Sequence, residues 1–199
     1  MKRKISGLKR SLLLAGIFVS GAGQAAAIAV DVFAAANSSS GGTGLAIFEF
    51  MAGDTFQVSA DVSDLWSAGA SPRWSNADGL VTDLFATGSD ESGQPEGTRI
   101  GAPFASWTQN GFTAPFGALV GRIGDSYLLL GTGFSGQAPE AGTLELFYWD
   151  SNSADNLDSV RVTISTDGVA PEPVPEPGTL ALLGLGLLGL VVAVRRKSR

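Results

Sequence analysis

The densest set of side chains able to do chemistry lies between Asp150 and Asp158, in the run Asp-Ser-Asn-Ser-Ala-Asp-Asn-Leu-Asp. Asp150, Asn152, Asp155, Asn156 and Asp158 are hard oxygen donors, with Ser151 and Ser153 between them. Such oxygens suit calcium, which takes six to eight of them at about 2.3–2.6 Å from carboxylates, amides and backbone carbonyls. The run lacks the sixth-position glycine and the terminal glutamate of an EF-hand loop. Asp and Asn are also ordinary turn residues. Spacing alone therefore leaves a calcium loop and a plain strand connection both open.

Two other groupings invite a chemical reading. Asp90, Glu91 and Glu96 fall in the polar stretch Thr87–Gly101 and offer carboxylates of the kind that glycoside hydrolysis uses in pairs. Their Gly/Ser/Pro-rich setting reads as a solvated surface loop. Gly184-Leu185-Gly186-Leu187-Leu188-Gly189 spells G-x-G-x-x-G, but the dinucleotide fingerprint needs a preceding strand and a βαβ unit. Here the glycines sit inside an apolar run, where small residues let helices approach closely.

The chain has no histidine and no cysteine. That excludes Ser-His-Asp and Cys-His catalysis, histidine-ligated zinc or iron sites, and disulfide staples. A non-enzymatic protein is the expectation.

The elements that must position the acidic loop read as strands. Thr55 to Val62 alternates with period two, placing Phe56, Val58, Ala60 and Val62 inward. Leu45–Phe50 and Gly142–Trp149 are β-favouring, the latter with Leu144, Leu146 and Tyr148 on one face and Glu145, Phe147 and Trp149 on the other. Ala118–Gly124 reads as a strand ending in a Gly124-Asp125 turn, followed by a strand over Tyr127–Gly131. Ser159–Ile164 alternates again. Asp31–Ala36 and Leu80–Ala86 are shorter strand candidates, and Leu65–Asp78 reads as a loop with short strands around Trp66 and Trp74. Many short strands, frequent turns and no helical periodicity before the tail predict an all-β fold, an antiparallel β-sandwich of jelly-roll or galactose-binding-like type over residues 28–168.

Both ends carry addresses. Lys2, Arg3, Lys4, Lys9 and Arg10 precede an apolar stretch from Ser11 to Ala22 and then Ala25-Ala26-Ala27. This is the basic, apolar and small-residue order of a secretory signal peptide, expected over residues 1–27 with the cut after Ala27 or after Ala25. At the other end, a Pro-rich linker over 169–177 leads into an apolar run. Its 17 residues from Gly178 to Val194 give roughly 25 Å of helix, near the short end of what spans a bilayer. Arg195, Arg196, Lys197 and Arg199 then act as a positive-inside stop.

Nine of the 13 Lys/Arg lie in these flanks. Residues 28–174 keep four arginines against 18 acids, a net charge of −14 with no lysine. Nucleic acid and anionic membrane surfaces are disfavoured as partners. Divalent cations are not.

The tail, with Pro175-Glu176-Pro177, the Gly/Leu-rich helix and the Arg-rich end, resembles the PEP-CTERM sorting signal of Gram-negative bacteria. The resemblance, over residues 174–199, implies an exosortase-type transpeptidase as partner. It also implies export across the inner membrane, transient anchoring there by the helix, and delivery to the cell surface, outer membrane or extracellular matrix. It further suggests exopolysaccharide as a neighbour, in the setting of a biofilm.

In the middle of the chain, three segments resemble the PA-I-like lectin family of calcium-dependent, galactose-binding β-sandwiches. They are Gly117-Ala118-Leu119-Val120-Gly121-Arg122-Ile123-Gly124, Gly142-Thr143-Leu144-Glu145-Leu146, and Asp150…Asp155-Asn156…Ser159-Val160-Arg161-Val162. The resemblance implies that Asp150, Asp155 and Asn156 ligate calcium and that Asp150 and Asn156 also contact the sugar. The chain departs from the family in four places. The loop between Asp150 and Asp155 is two residues shorter, the aromatic after the first Trp is replaced by small residues near Ala68-Gly69, Asp155 stands where an asparagine is usual, and no histidine is present to touch the sugar. Three functions stay open: a calcium-dependent carbohydrate-binding module, a structural matrix protein on the same scaffold, and a carboxylate-based glycan-active enzyme.

Overall fold

Period-two alternation is realised as two four-stranded antiparallel sheets in the computed structural model, which describes residues 26–166. The first sheet has the order β1 (Ala26–Phe33), β14 (Ser159–Thr166), β3 (Thr55–Ala60) and β12 (Gly133–Gln137). The second runs β11 (Ser126–Leu129), β10 (Ala118–Ile123), β13 (Gly142–Trp149) and β2 (Leu45–Phe50). Three two-stranded ribbons complete the described residues: β4 (Trp66–Ser67) with β5 (Trp74–Ser75), β6 (Leu84–Phe85) with β7 (Arg99–Gly101), and β8 (Ser106–Gln109) with β9 (Phe112–Pro115). Among the described residues there is no helix, hence none long and apolar enough to cross a membrane. Most of the expected signal peptide, the 169–177 linker, the 178–194 helix and the basic tail lie outside the described residues.

The inward alternates of both sheets meet in one core. Val32, Val58, Val160, Val162 and Ile164 come from the first sheet; Phe50, Leu119, Ile123, Leu144, Leu146 and Tyr148 come from the second. This is face-to-face sandwich packing. Each such side chain contributes about 1.5–3 kcal/mol by leaving water. With no disulfide in the chain, this burial is what holds the sheets together.

One face departs from simple alternation. Phe147 and Trp149 of β13 are directed away from this core, yet both are buried. The β8–β9 ribbon folds over Trp149, packing it with Ala114, Ala118, Val120, Trp107 and Phe112 into a second small core. The indole Nε1 of Trp149 donates to the Trp107 carbonyl at 2.9 Å. Asn110 and Gly111 at the ribbon tip both have positive φ, 51° and 80°, as a two-residue type I′ hairpin turn requires.

Several strand limits differ from those the sequence suggests. The third strand ends at Ala60, and Val62 is 65% exposed rather than inward. The cause is local: the Asp61 carboxylate accepts from both the N–H and the hydroxyl of Ser63, closing a turn before Val62 can pair. The first strand runs from Ala26 to Phe33 instead of from Asp31 to Ala36, because the whole of β14 offers it a partner from Ala26↔Thr166 to Phe33↔Ser159. Of Leu80–Ala86, only Leu84 and Phe85 form a strand. The strand expected over Tyr127–Gly131 occupies Ser126–Leu129.

Candidate functional site

Strands β13 and β14 belong to different sheets, so the chain between Trp149 and Ser159 must cross from one to the other. That crossing is the acidic loop. Its first residue is anchored by a single hydroxyl: Ser39 Oγ accepts from the Asp150 N–H at 3.1 Å and donates to the Asp150 carbonyl at 2.9 Å.

The crossing buries two of the candidate ligands. Asp150 is 4% exposed and Asn156 5%. The Ser151 N–H donates to Asp150 Oδ1 at 2.7 Å. Asn156 Nδ2 donates to the Ala34 carbonyl at 3.1 Å, which fixes the amide and leaves its Oδ1 buried with no hydrogen-bond partner. Asp155 is exposed, its Oδ1 accepting from Asn152 Nδ2 at 2.6 Å. Burial pushes the Asp150 carboxyl above the usual carboxylate range, and the nearby Asp155 charge adds to the push. The Ser151 N–H and the Asn156 amide pull the other way. Asp150, Asp155 and Asn156 thus share one loop, the first and last of them buried and Asp155 exposed. Asn152 serves Asp155, and Asp158, at φ 69°, accepts from the neighbouring Ser159 N–H at 2.9 Å.

The β4–β5 segment forms the other wall. Ser67 and Leu157 exchange backbone hydrogen bonds at 3.0 Å in both directions. Gly69, at φ 113°, lies under Asp155: a Cβ there would come within 2.5 Å of Asp155 Oδ2. Beneath the loop, the Tyr148 ring meets Trp66 edge-on with centroids 4.6 Å apart. The hydroxyls of Tyr148 and Ser75 are both buried without partners, and both face the space that a Cβ on Gly117 would enter. Burial, with the charges of Asp150 and Asp155 behind it, raises the Tyr148 pKa well above the ordinary phenol value. Sequence pattern did not single out Ser39, Gly69, Ser75 or Tyr148 for this site. Ser39, Gly69 and Ser75 reach it through contacts distant in the chain, and Tyr148 from the end of the strand that leads into it.

Asp150 has no cationic partner among the described residues. Arg99 pairs with Asp83, Arg122 with Glu145, and Arg161 with Asp31. Arg73 lies over the Phe104 ring, 3.6 Å from its centroid. Residues 26–166 contain no lysine. An all-oxygen set of two carboxylates and a spare amide oxygen fits the donor chemistry of calcium. Among the described residues no three His, Cys, Asp or Glu gather to hold a metal, so neutral oxygens would have to complete such a shell.

The other acidic groups are used locally. Asp90 is held at about 2 by the Ser92 hydroxyl and the Thr87 N–H, with smaller help from the Thr87 hydroxyl and the Ser92 N–H. That is the reverse of what a glycosidase acid needs. Glu91 borders a groove of 530 Å³ with Asp61, Asp64 and Arg161, none of which belongs to the acidic loop. Asp64 there accepts the Arg161 N–H at 2.7 Å.

Residues 173–197 match the model of the PEP-CTERM protein-sorting motif. The motif implies exosortase processing, export and sorting to the cell surface. No curated protein matches the chain. Among solved structures the chain is similar to the N-terminal domain of EclA, a PllA-like lectin. The identity is 22% and the TM-score 0.41, covering 70% of this chain and 94% of that one. Overlap at that level is too low to transfer a ligand.

Proposed function

We propose that the described domain is a non-catalytic carbohydrate-binding module of a PEP-CTERM-sorted surface protein. Calcium sits at Asp150, Asp155 and Asn156, and sugar hydroxyls complete its shell beside Asp150 and Asn156. The observation that carries this reading is the buried Asp150 carboxylate, which has no cationic partner among the described residues, on the same loop as the buried Asn156 Oδ1, which has no hydrogen-bond partner. A buried anion is costly unless paired, and so is a buried acceptor left bare. One divalent ion offsets both. The glycan is most simply the producer's own exopolysaccharide, the neighbour that the sorting motif suggests. Before sorting is complete, the apolar 178–194 segment anchors the chain transiently in the inner membrane, ahead of its delivery to the cell surface. Signal-peptide cleavage falls after Ala27 or after Ala25.

A structural matrix role with calcium but no sugar is the second reading. It is favoured by one observation: neither described cleft is lined by Asp150, Asp155 or Asn156. Thermal unfolding against added calcium, followed by glycan-array binding with and without EDTA, separates the two. Calcium-dependent stabilisation with array binding lost in EDTA supports the lectin-like module. Stabilisation without any array signal supports the matrix role. If Asp150→Asn keeps full calcium affinity, the ion is elsewhere.

A further inference from the structure

A cleft of 260 Å³ opens on the outer face of the second sheet, where the β8–β9 tip meets the 39–44 loop. Its floor is a cross-strand ion pair. Arg122 and Glu145 face each other across β10 and β13, and Nε and Nη2 of the arginine both donate to Glu145 Oε2. Both side chains are partly buried, 35% and 26% exposed. A guanidinium has five N–H donors. Two go to Glu145 and the Tyr127 hydroxyl engages another, so N–H donors are left over beside the second oxygen of Glu145, an acceptor.

The rim is built from the hairpin tip. Gln109 is clamped, its Nε2 donating to the Ser39 carbonyl at 2.8 Å and its Oε1 accepting from Ser40 Oγ at 3.3 Å. Asn110, held at φ 51°, brings its amide to the Tyr127 hydroxyl at 3.0 Å. The amide therefore joins the same small cleft as the ion pair.

We propose that this cleft is a second, metal-independent binding site for a neutral sugar ring. A sugar hydroxyl donates and accepts at once, which matches the adjacent donor and acceptor that Arg122 and Glu145 present. Anions are disfavoured, because Glu145 already neutralises Arg122 and residues 28–174 carry a net −14. The volume lies below the about 300–1,000 Å³ of pockets for drug-sized ligands and suits a single ring. The cleft shares Ser39 with the anchor of the acidic loop, but Asp150, Asp155 and Asn156 do not line it and it does not rest on calcium there.

Saturation-transfer NMR of the full chain in detergent and EDTA, with glucose, galactose, mannose and N-acetylglucosamine as probes, tests it. At least one sugar is expected to receive saturation without calcium. Asn110→Gly keeps the backbone, since glycine adopts positive φ freely. Loss of one hydrogen bond predicts about fivefold weaker binding for this variant and about tenfold for Glu145→Gln, where a charged partner is lost. Asp150→Asn is expected to leave the EDTA signal intact. The proposal is overturned if no probe receives saturation in EDTA, or if Asn110→Gly and Glu145→Gln bind as the parent does. It is equally overturned if all binding needs calcium and vanishes in Asp150→Asn, a result that would leave the acidic-loop reading standing. A melting temperature equal to the parent's for Asn110→Gly keeps the comparison valid if Glu145→Gln unfolds.

Discussion

Asp155 Oδ2 occupies the space that a side chain on Gly69 would need: a Cβ built there lies 2.5 Å from the carboxylate oxygen. The residues are 86 positions apart and meet because the Ser67–Leu157 bridge ties the two loops together. Gly69→Ala is strained twice, by its φ of 113° and by this contact. A non-glycine backbone in such a region costs about 1–3 kcal/mol. The variant is expected to melt several degrees lower and to need more calcium for half-maximal stabilisation. Differential scanning calorimetry across a calcium series checks both. An unchanged calcium midpoint would remove Asp155 from the ion's shell.

Burial of Asp150 makes stability depend on pH with a definite sign. Its folded-state pKa lies above the ordinary 3.8, so the folded protein holds the proton to higher pH than the unfolded chain does. In EDTA, stability from this group therefore falls as pH rises from about 3.8 through the raised folded value. Asp150→Asn abolishes that slope and is expected to be the more stable protein at neutral pH without calcium. With calcium the order reverses, and parent affinity for the ion drops as pH falls through the same raised value, since proton and metal compete. Urea midpoints at several pH values, with and without calcium, measure both arms. A metal-free parent whose midpoint is flat over that window contradicts the burial cost.

Much of the sandwich could be read from alternation, and the site from composition, but only in part. Leu45–Phe50 and Gly142–Trp149 appear as strands with the bounds their residue pattern suggests. Period two could not show that Phe147 and Trp149, on the supposedly wet face of β13, are covered. Trp149 is covered by β8–β9, whose own Asn110-Gly111 hairpin signal lies between segments with little hydrophobic contrast, and Phe147 lies against Gly44 and Arg122. Strand β12 was hidden for a related reason, since Gly133, Ser135 and Gly136 leave almost nothing to alternate. The acidic loop announced its oxygens, yet not which of them converge. That choice depends on Ala34 and Ser39, which lie more than 110 residues earlier and hold Asn156 and Asp150 in place.

Tyr148 offers a test of the buried polar floor. Its hydroxyl has no partner although the ring is fully buried. Removing a satisfied buried hydroxyl costs about 1 kcal/mol, whereas removing an unsatisfied one is neutral or stabilising. Tyr148→Phe is therefore expected to be as stable as the parent, or more so, in EDTA. Urea unfolding gives the comparison. A loss of about 1 kcal/mol or more would show that the Tyr148 and Ser75 hydroxyls share a bound water near Gly117.

Trp149 joins the acidic loop, the second sheet and the hairpin that walls the neutral cleft. It precedes Asp150, pairs with Ala118 in β10, and ties the hairpin down through its indole bond to Trp107. Phe112 and Tyr127 meet it edge-on with centroids 5.4 and 5.5 Å away. Trp149→Phe keeps an aromatic ring but loses the N–H and part of the volume. The lost hydrogen bond alone is worth about 1 kcal/mol, and the void adds to it. The ribbon's other ties to the sheet run through Tyr127, to which Asn110 donates and on which Phe112 stacks, so the loss should be local to the ribbon. Amide exchange is expected to speed up at Trp107–Phe112 while β10 and β13 stay protected. Uniform acceleration throughout the sandwich would mean that the second small core is part of the global folding unit rather than a clasp upon it.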